Sequence, residues 1–206
     1  EEVEDLYEMT YDTRLILLYG ASGTGKTSLV QCGLANKFKE TRWKEIFIRR
    51  ETNLNESLND LLDKELEQTG GAALGKPESA VEKIEYIYRA IFKPVYLIFD
   101  QFEELFLVNP DPIEQQQFFA FLKALLNSKV GCKVILVMRE EFIAHLWNFE
   151  EDLPSLFNHR YRIEPMRFSR AKSVIEKTLL KLADDKTIAI EETDLISETI
   201  LNKLTQ

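Results

Sequence analysis

Apolar positions along this chain follow two different spacings. The runs Arg14–Tyr19, Ile46–Ile48, Val95–Phe99 and Cys132–Met138 are apolar with little or no alternation. Short unbroken runs of this kind predict strands buried on both faces of a sheet. Tyr161–Ile163 is a weaker fifth candidate. Between these runs the apolar positions recur every three or four residues. Residues 26–37 predict a helix with Leu29, Val30 and Leu34 on one side. Leu58, Leu61, Leu62 and Leu66 predict a second helix, and Val81, Ile84, Tyr88 and Ile91 a third, stopped by Lys93-Pro94. Asp111-Pro112-Ile113-Glu114 reads as an N-cap, a proline at the first helical position and a capping-box acid. The helix behind it presents Phe118, Phe121, Leu122 and Leu125 on one face, and Phe142–Phe149 predicts a further short helix. Thr69–Pro77 breaks both spacings and predicts a mobile loop.

Strands that alternate with helices predict an α/β fold with a parallel sheet covered on both faces. The alternation stops near Pro165, where residues 171–182 and 193–204 predict two consecutive helices. The expected organisation is a leader at 1–14, a core at 15–165 and the beginning of a helical lid at 166–206.

Charge narrows the chemistry. The formal net charge is −9, and this disfavours a polyanion as the default partner, because nucleic-acid affinity is mostly phosphate neutralisation. Two stretches run against that balance, residues 37–50 (KFKETRWKEIFIRR) and 159–172 (HRYRIEPMRFSRAK), while the first twelve residues carry acids and no base. The two cysteines, Cys32 and Cys132, form no metal-ligand spacing and read as buried reduced thiols, which suits a cytoplasmic setting. The acidic start is not a signal peptide, and no apolar run approaches the roughly 20 residues of a membrane span. His145 and His159 lack partners at zinc-binding spacing and read as structural.

The most specific motif is Gly20-Ala-Ser-Gly-Thr-Gly-Lys-Thr27, which matches G-x-x-x-x-G-K-[ST] between a predicted strand and a predicted helix. Its glycines let the backbone curl so that successive N–H groups face an anion, and the helix N-terminus adds partial positive charge. The cradle comprises Gly20, Ser22, Gly23, Thr24, Gly25, Lys26, Thr27 and Ser28. Lys26 is expected to reach the β- and γ-phosphates, Thr27 to ligate Mg²⁺, and Ser28 to offer its amide to the α-phosphate.

A P-loop needs an acid at the end of a neighbouring strand to hold Mg²⁺ through water. Asp100, closing the run Val95–Phe99, is that candidate. Glu103 and Glu104 follow three and four residues on. One of them is expected to orient and deprotonate the attacking water, the other to sit behind it or at a helix start; both are open for either role. Phe102, Leu105 and Phe106 read as core. Arg139, at the end of the fourth strand, reads as a γ-phosphate sensor, with a salt bridge to Glu140 or Glu141 as the alternative. Arg49 and Arg50 leave the second strand and are placed away from the site.

These residues together resemble the STAND class of P-loop ATPases, relatives of the NACHT and AAA+ proteins. The nearest resemblance is to the novel STAND group, which pairs a GxSGxGKSSL-like loop with a strand ending in D-Q-F-E-E-L-F. Here those are Gly20–Leu29 and Asp100–Phe106. The resemblance implies a five-stranded sheet ordered 5-1-4-3-2, ATP or ADP rather than GTP, and a slowly hydrolysing switch whose nucleotide state controls self-association. It also implies an effector domain before and a sensor domain after this one, neither of which lies in these residues, and roles in signalling or defence.

Other functions remain open at this stage. The basic stretches favour an AAA+-like ATPase acting on DNA. A scaffold that binds nucleotide without hydrolysing it fits the same motifs. A P-loop kinase lacks an arginine-rich lid, and a GTPase lacks an N-K-x-D motif, Asn36-Lys37-Phe38-Lys39 having lysine where the acid belongs.

Overall fold

Alternate residues of the central strands feed two separate cores, which is why those strands read as unbroken apolar runs. In the computed structural model, which describes residues 2–37 and 43–165, the sheet is built from β1 (Leu15–Gly20), β2 (Lys44–Ile48), β3 (Val95–Phe99), β4 (Cys132–Arg139) and β5 (Arg160–Arg162). All pairings are parallel, and the order is β2-β3-β4-β1-β5, the 5-1-4-3-2 arrangement expected. Leu15, Leu17, Leu97, Phe99, Leu136 and Met138 enter one core; Ile16, Leu18, Tyr96, Ile98, Ile135 and Val137 enter the other.

The first core is closed by α4 (Leu54–Thr69), α5 (Ala80–Ile91) and α7 (Pro112–Asn127). Leu58, Leu62, Ile84, Phe118 and Leu122 are buried there, as their spacing requires. Phe102 stacks its edge on Phe99 and Phe106, so the residues after β3 are anchored in this core. The second core is covered by α1 (Glu2–Asp12) and by the helical segment after the glycine loop. That segment is irregular: α2 (Lys26–Ser28) passes into a π-helical stretch, Leu29–Leu34, and back into α3 (Ala35–Lys37). A wide turn of this type lets the Ala35 N–H bond to the Val30 carbonyl. The expected leader is thus a helix whose Leu6 is fully buried.

Connections are punctuated by specific groups. Asn53, Ser79 and Asp111 accept N–H bonds at the starts of α4, α5 and α7. Gly70 ends α4 in a left-handed conformation. Thr69–Pro77 holds a 3₁₀ turn at Gly71–Leu74 rather than being loop throughout. The segment expected as a short helix at Phe142–Phe149 is a 3₁₀ run from Glu140 to Phe149. The Arg14 guanidinium donates to the carbonyls of Leu125, Leu126, Ser128 and Val130, closing the carboxyl end of α7.

Two expectations are corrected here. Glu114 is not a capping-box acid: it is buried, accepts both Arg50 nitrogens at 2.8 and 2.9 Å, and accepts the Leu54 N–H at 2.6 Å. The buried Arg50 takes both carboxylate oxygens, and this pairing outweighs the local capping geometry. Cys132 is buried and its thiol is pushed up to about 12 by that burial, but Cys32 is exposed, on the outward side of the π-helical turn. The helices expected at 171–182 and 193–204, and the proposed lid, lie outside the described residues. No helix among the described residues is long and apolar enough to cross a membrane.

Candidate functional site

Parallel strands bring their carboxyl ends to one edge of the sheet, and crevices at that edge are where open α/β sheets bind ligands. The loop from Gly20 to Gly25 leaves β1 there. Gly23 and Gly25 have φ of 77° and 86°, values that favour glycine, and they turn the chain into α2. Thr24 Oγ1 donates to the Ala21 carbonyl at 3.0 Å. Lys26 Nζ arches back over the loop, donating to the carbonyls of Gly20 and Ala21 at 2.9 and 2.7 Å. Burial lowers the pKa of this ammonium, while Glu103 and Glu141 act in the opposite sense.

Asp100 follows β3 and is 4% exposed. Its Oδ1 accepts the Thr27 hydroxyl at 2.8 Å. Its Oδ2 accepts Arg49 Nε and Nη2 at 3.0 and 2.5 Å. Gln101 then takes a left-handed φ of 57°, and the Phe102 N–H donates to the Val137 carbonyl at 2.9 Å. This tight turn returns Glu103 to the sheet edge. Glu103 is 3% exposed; its Oε1 accepts Arg139 Nε at 2.8 Å and its Oε2 accepts the Arg139 main-chain N–H at 3.2 Å. The hydrogen bond to Glu103 raises the Arg139 pKa further above its ordinary value. Arg139 is in register with Gly20 across β4 and β1, and its guanidinium lies 5.6 Å from the Phe142 ring centre.

A cavity of about 410 Å³ opens between these groups. Ser22, Gly23, Gly25, Lys26, Thr27 and Ser28 line one wall; Asp100, Gln101, Glu103, Val137 and Arg139 line the other. Gly20 and Thr24 are off the wall and shape the loop. Glu104 is also off it, as the first residue of α6 (Glu104–Leu107). Of the two glutamates, then, Glu103 faces the cavity. A cavity of about 470 Å³ beside Trp43 and Ile91 lacks the glycine loop and the paired acids.

The donor set suits Mg²⁺: a threonine hydroxyl and a carboxylate, both hard oxygens, within hydrogen-bonding distance of one another. Among the described residues no group of three or more His, Cys, Asp or Glu gathers as for zinc. One or two protein oxygens beside a phosphate cradle is the arrangement Mg²⁺ uses at nucleotide sites.

Sequence reasoning misplaced Arg49, which is at the site. The register is the reason, and the sequence does not show it: Ile48 and Phe99 pair, so the residues following each strand, Arg49 and Asp100, emerge side by side. Arg139 pairs with Glu103 rather than with Glu140, which instead accepts Arg162 at 2.7 Å. The basic stretch at 37–50 is neutralised, where it is described, by acids from outside it: Lys37 faces Glu4, Lys44 faces Glu65, Arg49 faces Asp100 and Arg50 faces Glu114.

The chain is similar in fold to the Walker-type ATPase paby2304 of Pyrococcus abyssi, at 14% identity and a TM-score of 0.63, covering 88% of this chain and 57% of that one. It is similar to the Aeropyrum pernix ORC2 protein in its ADP form, at 16% identity and a TM-score of 0.59, covering 85% and 50%. The ORC1 protein of the same organism, in complex with DNA, gives 16% identity and a TM-score of 0.55, covering 85% and 47%. The chain spans about half the length of these solved structures, and at this identity the likeness establishes the fold alone. No curated protein matches the chain. The family model described as Novel STAND NTPase 1 matches residues 1–205, so the glycine loop, the acids after β3 and the sheet order belong to a member of the novel STAND NTPase 1 family.

Proposed function

We propose that this domain binds ATP and ADP with Mg²⁺ and hydrolyses ATP slowly, as the switch of a signal-transduction or defence ATPase whose nucleotide state controls self-association. The observation that carries the reading is one cavity walled by the glycine loop on one side and by Asp100, Glu103 and Arg139 on the other. The ADP-bound form of the ORC2 relative supports a nucleotide as ligand.

The amides from Gly23 onward receive the phosphate oxygens, and Lys26 exchanges its loop carbonyls for the β- and γ-phosphates. Thr27 and Asp100 are the residues that would hold Mg²⁺, which when bound would supply neutralising charge for the transferring phosphoryl group. Glu103 accepts the proton of the attacking water. Both of its oxygens are engaged by Arg139, so water must compete for them, which fits slow turnover. Arg139 gains a second anionic partner when a γ-phosphate enters, and this couples the γ-phosphate to Glu103. Moving a switch from 1:99 to 99:1 takes about 5.5 kcal/mol of differential binding, which these contacts deliver only if another domain responds to them. Self-association and effector output therefore belong to a chain with further domains.

The DNA-directed reading has weaker support, because Lys37, Lys44, Arg49 and Arg50 are each matched by an acid. Phosphate release separates the catalytic reading from a non-hydrolysing scaffold. Glu103→Gln is expected to lower release by about 100-fold, the scale of a lost general base, while Glu104→Gln stays within a few-fold of wild type. Wild type that binds ATP yet releases no phosphate would transfer the reading to the scaffold.

A further inference from the structure

Arg49 and Arg50 are adjacent but held very differently. Arg50 is 5% exposed at its side chain and forked onto Glu114, which also takes the Leu54 N–H. The main chain at this point is thereby fixed to α7 and to the start of α4. Arg49, one residue earlier, has a side chain 53% exposed whose guanidinium bonds Asp100. It is a long, half-exposed arm on a fixed mount.

Asp100 has the opposite character. Its side chain is 3% exposed, and a carboxylate so buried needs a compensating cation. Oδ1 is taken by the neutral Thr27 hydroxyl, so Arg49 at Oδ2 is its direct ionic partner. The other arginine of the site, Arg139, is committed to Glu103. With Oδ1 engaged by Thr27, Oδ2 is the oxygen left from which Asp100 would hold a metal-bound water. Two cations cannot share one carboxylate oxygen without mutual repulsion.

We propose that Arg49 and Mg²⁺ compete for Oδ2 of Asp100, so that Arg49 sets how strongly nucleotide binding depends on the metal. The proposal rests on the nucleotide reading above. With Arg49 seated, Asp100 is neutralised and phosphates are tolerated without metal. With Mg²⁺ bound, Arg49 swings away at little cost because its side chain is already half in solvent.

Calorimetric titration with ADP, once in EDTA and once in Mg²⁺, tests this without relying on turnover. The quantity read is the ratio of the two dissociation constants. Arg49→Ala is expected to raise that ratio by about tenfold, the scale of one charge-assisted hydrogen bond. The rise has two sources: ADP binding weakens in EDTA, where Asp100 is left uncompensated, and the metal loses its competitor. Arg49→Lys, which keeps the charge but loses the two-nitrogen grip on Oδ2, falls between wild type and Arg49→Ala. In an Asp100→Asn background the Arg49→Ala change has no further effect on the ratio. An unchanged ratio in Arg49→Ala that still binds ADP, or equal weakening in both conditions, would overturn the proposal while leaving the nucleotide reading intact. Wild type that binds ADP in neither condition would refute the nucleotide reading itself, and this proposal with it.

Discussion

Glu114 accepts three hydrogen bonds in a setting from which water is excluded. Burial alone would push its pKa up, but Arg50 and the Leu54 N–H outweigh that and hold it below the ordinary carboxylate value. A depressed pKa means that the native state favours the ionised form. Its contribution to stability is therefore fully present above the unfolded value of about 4.3, and is lost as pH falls through the lower native value. Glu114→Gln is expected to cost about 3 kcal/mol near neutrality, because it strands a buried arginine. The gap between variant and wild type should close in acid, where Glu114 is itself protonated. Chemical denaturation across that range checks it, and a gap independent of pH would contradict the assignment. Sequence alone assigned Glu114 to a cap because an acid three residues after Asp111 satisfies the local pattern. A partner more than sixty residues away leaves no local trace. Arg49 and Arg50 pose the same difficulty, since adjacent residues leaving a strand point to different places and composition does not say which.

Elements were legible wherever burial imposed a period. The four apolar runs became β1 to β4, and the apolar faces of α4, α5 and α7 pack on the core, buried at Leu58, Leu62, Leu66, Ile84, Phe118, Leu122 and Leu125 and half-buried at Leu61, Val81, Tyr88, Ile91 and Phe121. Helix type was less legible. Nothing in Leu29–Leu34 distinguishes a π turn from an α turn; the stretch packs closely on α1, where a Cβ on Gly33 would lie 2.6 Å from Val3 Cγ2. The leader escaped recognition because acids dominate it and only Leu6 and Thr10 are buried. One helix end carries a removable strain. Phe92 ends α5 with φ of 52° and is 83% exposed. A side chain pays for that conformation without burying anything in return, and glycine takes it freely. Phe92→Gly should raise stability by about 1 kcal/mol, read as a higher thermal midpoint; a fall would mean that Phe92 makes a contact worth more than the strain.

At the scale of the whole domain, parallel strands gather Gly20, Arg49, Asp100 and Arg139 at one sheet edge although they are far apart in sequence. The glycine loop and the acids after β3 were readable as motifs because their chemistry constrains residue type. The pairings among them were not, since those depend on register: Glu103 returns to the edge only through the left-handed turn at Gln101. The central claim is that the loop holds a triphosphate while Asp100 supports its metal. Calorimetry with Mg·ATP on wild type, Lys26→Ala and Asp100→Ala addresses it most directly. One saturable site is expected in wild type, loss of binding in Lys26→Ala, and in Asp100→Ala a loss of the metal's contribution to affinity. Wild type that gives no heat of binding, or Lys26→Ala that binds as wild type does, would contradict it.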